Sequence, residues 1–377
     1  MEYPFLVRFA YAAPVCAKEC VIMESCDHYT HFTHMTPFRL FSRWFALIVA
    51  VVYVVGFGAA QAQTPNWIVY AAESSSGLSD LFMLDVNSGR SINLTQTPDI
   101  NEQAPQWSPD GEQLAYSTAG SEASEGGICI LRLGIGSDCF EPFGAEDLSP
   151  VWSYDGKWLA ISTTDGYVTD IVVVNVETGE SFRPLPDVPL QPIMAWSPNA
   201  LQIALVESSG ISMQITIVDV ITGESRVVTG AGDWRIESLA WSPDGSRIAF
   251  LSDFHIYLVN ALGGKAYRLT GDNEVEGLSQ GAWSPDGSQL VFITGLGTSE
   301  PALNIIDADG TNRRSIPETA GTEFAPVWST DGTEIAFLNF LGPDSEITLY
   351  IYEVETGEIR RITSGGIRFD SLVWYPQ

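Results

Sequence analysis

Short apolar runs separated by polar turns recur along most of the chain. Seven of them, starting at Ile68, Leu114, Leu159, Ile203, Ile248, Leu290 and Ile335, resemble the "RIAFL" of residues 247–251. Most follow a tetrapeptide such as Ser-Pro-Asp-Gly and lead into a hairpin such as "ITIVDVITGESRVVT" or "LYIYEVETGEIRRIT". Period-two runs of this length, bounded by Gly, Pro and Asp, predict half-buried strands. In the tetrapeptide, proline presets φ, aspartate bonds its own backbone and glycine accepts the left-handed conformation that closes a hairpin. Each unit therefore holds four short strands, A to D: one ending in tryptophan, then those exemplified by "IAF", "IYLV" and "YRLT".

The tryptophans set the period. Trp107, Trp152, Trp196, Trp241, Trp283, Trp328 and Trp374 are 45, 44, 45, 42, 45 and 46 residues apart. Four strands per unit of this size is the pattern of a propeller blade. The seven B strands are matched by seven C–D turns at Gly89, Gly136, Gly179, Gly223, Gly263, Gly310 and Gly357. The first unit lacks its tryptophan strand, and Trp374 lacks a unit. The fold class is accordingly all-β: a seven-bladed β-propeller of four-stranded antiparallel blades, closed by a C-terminal inner strand joining the N-terminal blade, which removes the exposed sheet edges an open array would carry. The recurring tryptophans are expected to pack neighbouring blades together.

The ends change the picture of where this propeller works. Residues 35–62 carry Arg39 and Arg43, an apolar run from Trp44 and a small-residue site at Ala60-Gln61-Ala62, the layout of a signal peptide. Residues 1–34 then read as a leader that places the true start at Met35. If Met1 starts the chain, the apolar run becomes a membrane anchor with its arginines inside. Both alternatives put residues 63–377 outside the cytoplasm, periplasmic or secreted. That segment holds 14 Lys or Arg and 43 Asp or Glu, a net charge of −29 that repels nucleic acid and anionic lipid. Its two cysteines, Cys129 and Cys139, flank a C–D turn, where an oxidising compartment favours a cross-strand disulfide.

Candidate chemistry is sparse. Cys16, Cys20, Cys26, His28, His31 and His34 match no zinc-ligand spacing, and His255 is the one histidine beyond residue 62, so neither a histidine-rich metal site nor a catalytic triad of the usual kind is expected. "GLSQG" at 277–281 has the letters of a nucleophile elbow without its strand–turn–helix setting, and "DADGTN" at 307–312 lacks the distal glutamate of a calcium loop. One constellation survives: Glu102, Asp147, Gln191, Glu237, Glu276, Glu323 and Asp370 stand shortly before the tryptophans, with Trp234, Phe324 and Phe369 beside them. In a closed propeller these positions converge on one channel mouth, where they would form either a negative funnel for a basic peptide, an amine or a metal ion, or ordinary solvated loops.

The blocks "WSPDGSRIAFLSDFHIYLVNALGGKAYRLT" and "WSPDGEQLAYS" resemble the TolB-like propeller repeats, relatives of the Trp-Asp repeats, and the resemblance covers residues 66–377. It implies an exported propeller that binds envelope proteins and is not an enzyme, although TolB itself has six blades behind an α/β domain. The function expected is a monomeric, non-catalytic binding module without cofactor, directed at an envelope protein or basic peptide. The alternatives are a propeller enzyme, such as a metal-assisted lyase or lactonase, and a carbohydrate-binding propeller using Trp234.

Overall fold

The computed structural model describes residues 66–376 except 75–76, 121–126, 141–149, 165–168, 184–192, 210–211, 231, 272–275, 279–281, 296–300, 318, 320, 341, 343–345 and 364–366. The leader and signal segment read from the sequence lie outside them.

The described chain forms seven four-stranded antiparallel sheets. Blade 1 comprises β1 (Trp67–Glu73), β2 (Ser79–Asp85) and β3 (Arg90–Asn93), completed by the last strand of the chain. Blade 2 holds β4 (Ile100–Trp107), β5 (Gln113–Gly120), β6 (Gly127–Arg132) and β7 (Gly136–Phe140). Blade 3 holds β8 (Pro150–Trp152), β9 (Trp158–Thr164), β10 (Thr169–Asn175) and β11 (Ser181–Phe182). Blade 4 is β12 (Met194–Trp196), β13 (Gln202–Ser209), β14 (Ser212–Asp219) and β15 (Ser225–Val227). Blade 5 is β16 (Ile236–Trp241), β17 (Arg247–Ser252), β18 (His255–Asn260) and β19 (Tyr267–Arg268). Blade 6 is β20 (Glu276–Gly277), β21 (Gln289–Thr294), β22 (Ala302–Asp307) and β23 (Arg314–Ser315). Blade 7 is β24 (Thr322–Trp328), β25 (Glu334–Phe340), β26 (Thr348–Glu353) and β27 (Ile359–Arg361), and β28 (Ile367–Trp374) returns to blade 1.

Closure follows the expected three-plus-one arrangement. β28 pairs with β1 through Ile68↔Trp374, Val69↔Val373 and Tyr70↔Leu372, and the Tyr375 N–H donates to Trp67 O at 2.9 Å. Strands β4, β8, β12 and β16 touch in sequence, as do β24, β28 and β4, so strand A of each blade lies innermost.

The B strands depart from the half-buried expectation. Ile248, Ala249 and Phe250 of β17 are all buried, because each blade is sandwiched between two others and both faces of its sheet are covered. Seven apolar clusters result, one per blade junction. Ile68 and Tyr70 pack towards blade 7, while Val69 and Ala71, with side chains on the opposite face, pack towards blade 2.

The tryptophans add a directional bond to this packing. The indole N–H of Trp152 donates to Gln106 O, Trp196 to Val151 O, Trp241 to Ala195 O, Trp283 to Ala240 O, Trp328 to Ala282 O and Trp374 to Val327 O, at 2.9–3.2 Å. In each case the acceptor is the residue before the preceding blade's tryptophan. Trp107 breaks the series: its Nε1 is buried without a hydrogen-bond partner, and Tyr375 packs edge-on against its ring at 5.0 Å.

The Ser-Pro-Asp-Gly turns close the A–B hairpins by a repeated set of bonds. In blade 5, Ser242 Oγ donates to Asp244 Oδ1 at 2.6 Å, the Ser246 N–H donates to the same oxygen at 3.0 Å, and the Arg247 N–H donates to Ser242 Oγ at 2.9 Å. The Ser242 hydroxyl and the Ser246 N–H hold Asp244 down to a pKa of about 2, from an ordinary 3.8. A carboxyl whose pKa is depressed on folding stabilises the fold above its unfolded pKa, and that contribution is lost as pH falls through the folded value. The Asp244→Asn variant is therefore expected to lose less Tm than the parent between about pH 4 and pH 2, as read by thermal melts at each pH; parallel Tm–pH curves would refute the linkage.

Candidate functional site

The D–A loops and B–C turns share one end of the propeller, and the residues expected to ring its mouth separate into two kinds there. Glu102, Glu276 and Glu323 are each only 1% exposed. Their carboxylates are turned inside the protein, with Glu276 Oε1 buried there without a hydrogen-bond partner. Glu102 accepts the hydroxyls of Thr95 and of Thr97, the latter at 2.6 Å. Glu276 accepts the Thr270 hydroxyl and the Ile256 N–H at 3.1 Å. Glu323 accepts the Leu303 N–H at 3.3 Å and both the N–H and the hydroxyl of Thr319 at 2.8 Å.

In the last two cases the acid at the head of one blade takes a backbone donor from strand C of the blade before it, at the point where short strand D has run out of ladder. This joins successive blades and gives a buried amide its acceptor, which for Ile256 is shared with Thr270 Oγ1 at 3.1 Å. Burial raises the carboxyls of Glu102 and Glu276 above their ordinary range, against the threonine hydroxyls, which act to lower them. These three acids therefore do not present charge to a partner.

Glu237 differs: it is exposed. The difference lies in a β-bulge. In β4 and β24 the register shift falls between Gln103 and Gln106 and between Phe324 and Val327, where Ala104 and Ala325 adopt φ of 47° and 50° ahead of proline. The glutamate upstream stays in the ladder, Glu102 opposite Thr118 and Glu323 opposite Asn339. In β16 the shift falls between Ile236 and Ser238, making Glu237 itself the extra residue, turned outward. Asp147 and Gln191 lie outside the described residues, and Phe369 and Asp370 fall in the first part of β28, residues 367–371, of which only the backbone is described.

Blade 5 carries the most distinctive chemistry at this end. Trp234 is half-buried, edge-on to Phe250 at 5.3 Å and to Tyr257 at 5.0 Å, with its indole N–H donating to Gly230 O at 3.1 Å. Beside it lies the B–C turn, a feature missed in the sequence. Because Ser252 pairs with His255, Asp253 and Phe254 alone must make the turn, and both have positive φ, 47° and 64°. Two-residue hairpins of this type favour Asn-Gly, and a bulky side chain in the left-handed region is an outlier. Phe254 is nevertheless there and is 50% exposed. The turn is pinned on both flanks: Ser252 Oγ accepts the Arg235 N–H at 2.9 Å, and Phe254 O accepts the Glu276 N–H at 3.1 Å. The signal in the sequence was a two-residue gap between "RIAFLS" and "HIYLVN" filled by Asp-Phe.

His255 follows directly. Its Nδ1 is 2.9 Å from Arg268 Nη2 and 4.0 Å from Glu276 Oε2. Arginine can only donate, so Nδ1 accepts and the ring proton belongs on Nε2. Among the described residues no three His, Cys, Asp or Glu side chains are placed to share a metal ion. Cys129 and Cys139, opposite one another on β6 and β7, are joined by a disulfide.

Residues 144–300 match the TolB beta propeller domain family. The Tol-Pal system protein TolB of Thioalkalivibrio sulfidiphilus is 38% identical over 63 residues, 17% of this chain and 14% of that protein. The match thus spans about a seventh of that relative's length. Among solved structures, TolB from Acinetobacter baumannii has a TM-score of 0.54 at 17% identity, over 83% of this chain and 67% of that one. A prolyl endopeptidase has a TM-score of 0.62 at 13% identity, over 82% of this chain and 50% of that one. Likeness at these identities establishes a shared architecture, which hosts both binding proteins and enzymes. Together with the sequence match over residues 144–300 and the motif around each tryptophan, it makes this chain a seven-bladed propeller with TolB-like repeats.

Proposed function

We propose that this chain is an extracytoplasmic binding module that engages an envelope protein, without catalysis, through the B–C and D–A end of blade 5. The observation that supports this reading is Phe254, an aromatic half exposed to solvent on a left-handed backbone. The strain costs about 1–2 kcal/mol, which glycine would avoid. Backbone strain at an exposed position, not repaid by burial, is the mark of a residue kept for contact. Half-buried Trp234 and exposed Asp253 and Glu237 surround it with the aromatic and polar mixture of a protein-binding patch. The Tol-Pal system relatives support an envelope protein as the class of partner.

Phe254→Gly separates the two roles of that side chain. The variant is expected to be more stable than the parent by about 1 kcal/mol in urea unfolding, and to retain less than a tenth of the partner captured from an envelope extract of the source cells. Undiminished capture by the stabilised variant would overturn the assignment.

A further inference from the structure

At the opposite end, where the A–B and C–D turns lie, a groove of about 540 Å³ runs between blades 4 and 5. Its lining includes Asn199, Gln202, Arg226, Trp241 and Leu262; Arg226 is the one charged residue, and there is no carboxylate. In a segment with a surplus of 29 negative charges that is a marked local exception. The corresponding groove between blades 6 and 7 is smaller, about 360 Å³, and is bordered by Asp286 and Asp331.

The exception arises from a break in the repeat. Five A–B turns carry aspartate followed by glycine, at Asp110, Asp155, Asp244, Asp286 and Asp331, whereas blade 4 has Asn199 followed by Ala200. Asn199 leans onto the next turn and donates from Nδ2 to Asp244 O at 2.9 Å, over Gly245, where a Cβ would come within 2.6 Å of it. The Asp244 carboxylate is occupied by Ser242 and Ser246. Arg226 uses only Nη2 within the protein, towards Ala261 O at 3.2 Å and Gln202 Oε1 at 3.4 Å. Its Nε is buried with no hydrogen-bond partner, and Nη1 has none among the described residues. Leu262, 85% exposed, and the ring of Trp241 supply apolar surface alongside.

We infer that this groove binds a small oxyanion, carboxylate or phosphate, carried on an apolar body: the guanidinium takes the anion and Leu262 and Trp241 take the rest. A guanidinium is the side chain best matched to planar or tetrahedral oxyanions, and replacing the repeat's aspartate by asparagine removes the charge that would repel them.

The test uses the full chain, with benzoate, phenyl phosphate and neutral benzyl alcohol as probes in ligand-observed NMR titrations. Benzoate or phenyl phosphate is expected to bind, and whichever binds more tightly identifies the source of the oxyanion. Asn199→Asp restores the residue that five sister turns already fold with, and is expected to weaken that binding about tenfold. Arg226→Gln is expected to abolish it, with an unchanged Tm marking a folded variant. The inference is overturned if neither anion binds the parent, if benzyl alcohol binds equally well, or if Asn199→Asp leaves the affinity unchanged.

Discussion

Removing residues 367–377 is expected to unfold the propeller at temperatures where the parent is intact. β28 is the inner strand of blade 1, and without it β1 loses the ladder from Ile68 to Ala72. Trp374 is 6% exposed in the cluster that joins blade 7 to blade 1, beside Ile68, Tyr70, Ala336 and Ile351, and its indole reaches Val327 O across that junction. Tyr375, on the other flank, covers Trp107 of blade 2. The truncation therefore opens two blade junctions and one sheet together. Trp374→Ala alone should cost about 3–5 kcal/mol, and loss of the whole strand is comparable with the total stability of an ordinary domain, about 5–15 kcal/mol. Thermal melts followed by far-UV circular dichroism decide the matter. A truncated chain melting within about 2 °C of the parent would show that the ring holds without its closing strand.

Glu323→Ala is expected to be the most damaging change to a single acidic residue. Truncation leaves the Leu303 N–H, the Thr319 N–H and the Thr319 hydroxyl without their acceptor at a site that is 1% exposed. A buried donor left unmade costs about 1–3 kcal/mol, and water entering the vacated space relieves part of the sum, so about 3 kcal/mol is expected. Glu237→Ala, at the related but outward-facing position of blade 5, should stay within about 0.5 kcal/mol of the parent. Urea midpoints for the two variants give the comparison. Equal losses would mean that burial does not govern these residues.

The contrast between Glu323 and Glu237 also shows where reading the sequence succeeds and where it stops. The tryptophan period, the Ser-Pro-Asp-Gly turns and the unmatched ends specify seven blades and their closure, because each is a local backbone demand repeated until chance is excluded. The acidic residues before the tryptophans look alike in sequence, yet the place of a one-residue bulge separates inward Glu102 and Glu323 from outward Glu237, while Glu276 pairs in its ladder without one. The usable signals were Ala-Pro between the acid and the tryptophan, in "EQAPQW" and "EFAPVW", and a threonine a few residues upstream, Thr95 or Thr319, to receive the carboxylate. "ESLAW" around Glu237 lacks the Ala-Pro pair. Phe254 was hidden for another reason: a two-residue turn is recognised by its glycine, and this one has none. The groove at Arg226 depends on blades 4 and 5 together, so no single repeat displays it.

The outermost strands carry a consequence for how copies of this molecule behave when crowded. A propeller hides the inner edge of each sheet at its axis but leaves strand D of every blade with an unpaired flank, seven templates on which a second molecule could build a continuous ladder. In this protein β11, β19 and β23 are two residues long, β15 and β27 three, β3 four and β7 five. Five of these rim strands also concentrate a scarce charge, Arg90, Arg226, Arg268, Arg314, Arg360 and Arg361, whereas β7 carries Asp138 and β11 no charge. Two rims meeting side by side would oppose arginine to arginine over ladders too short to repay the repulsion. On the five rim strands that carry it, arginine thus works against fibre-like self-association, through the sign of charge that this acidic chain has least of.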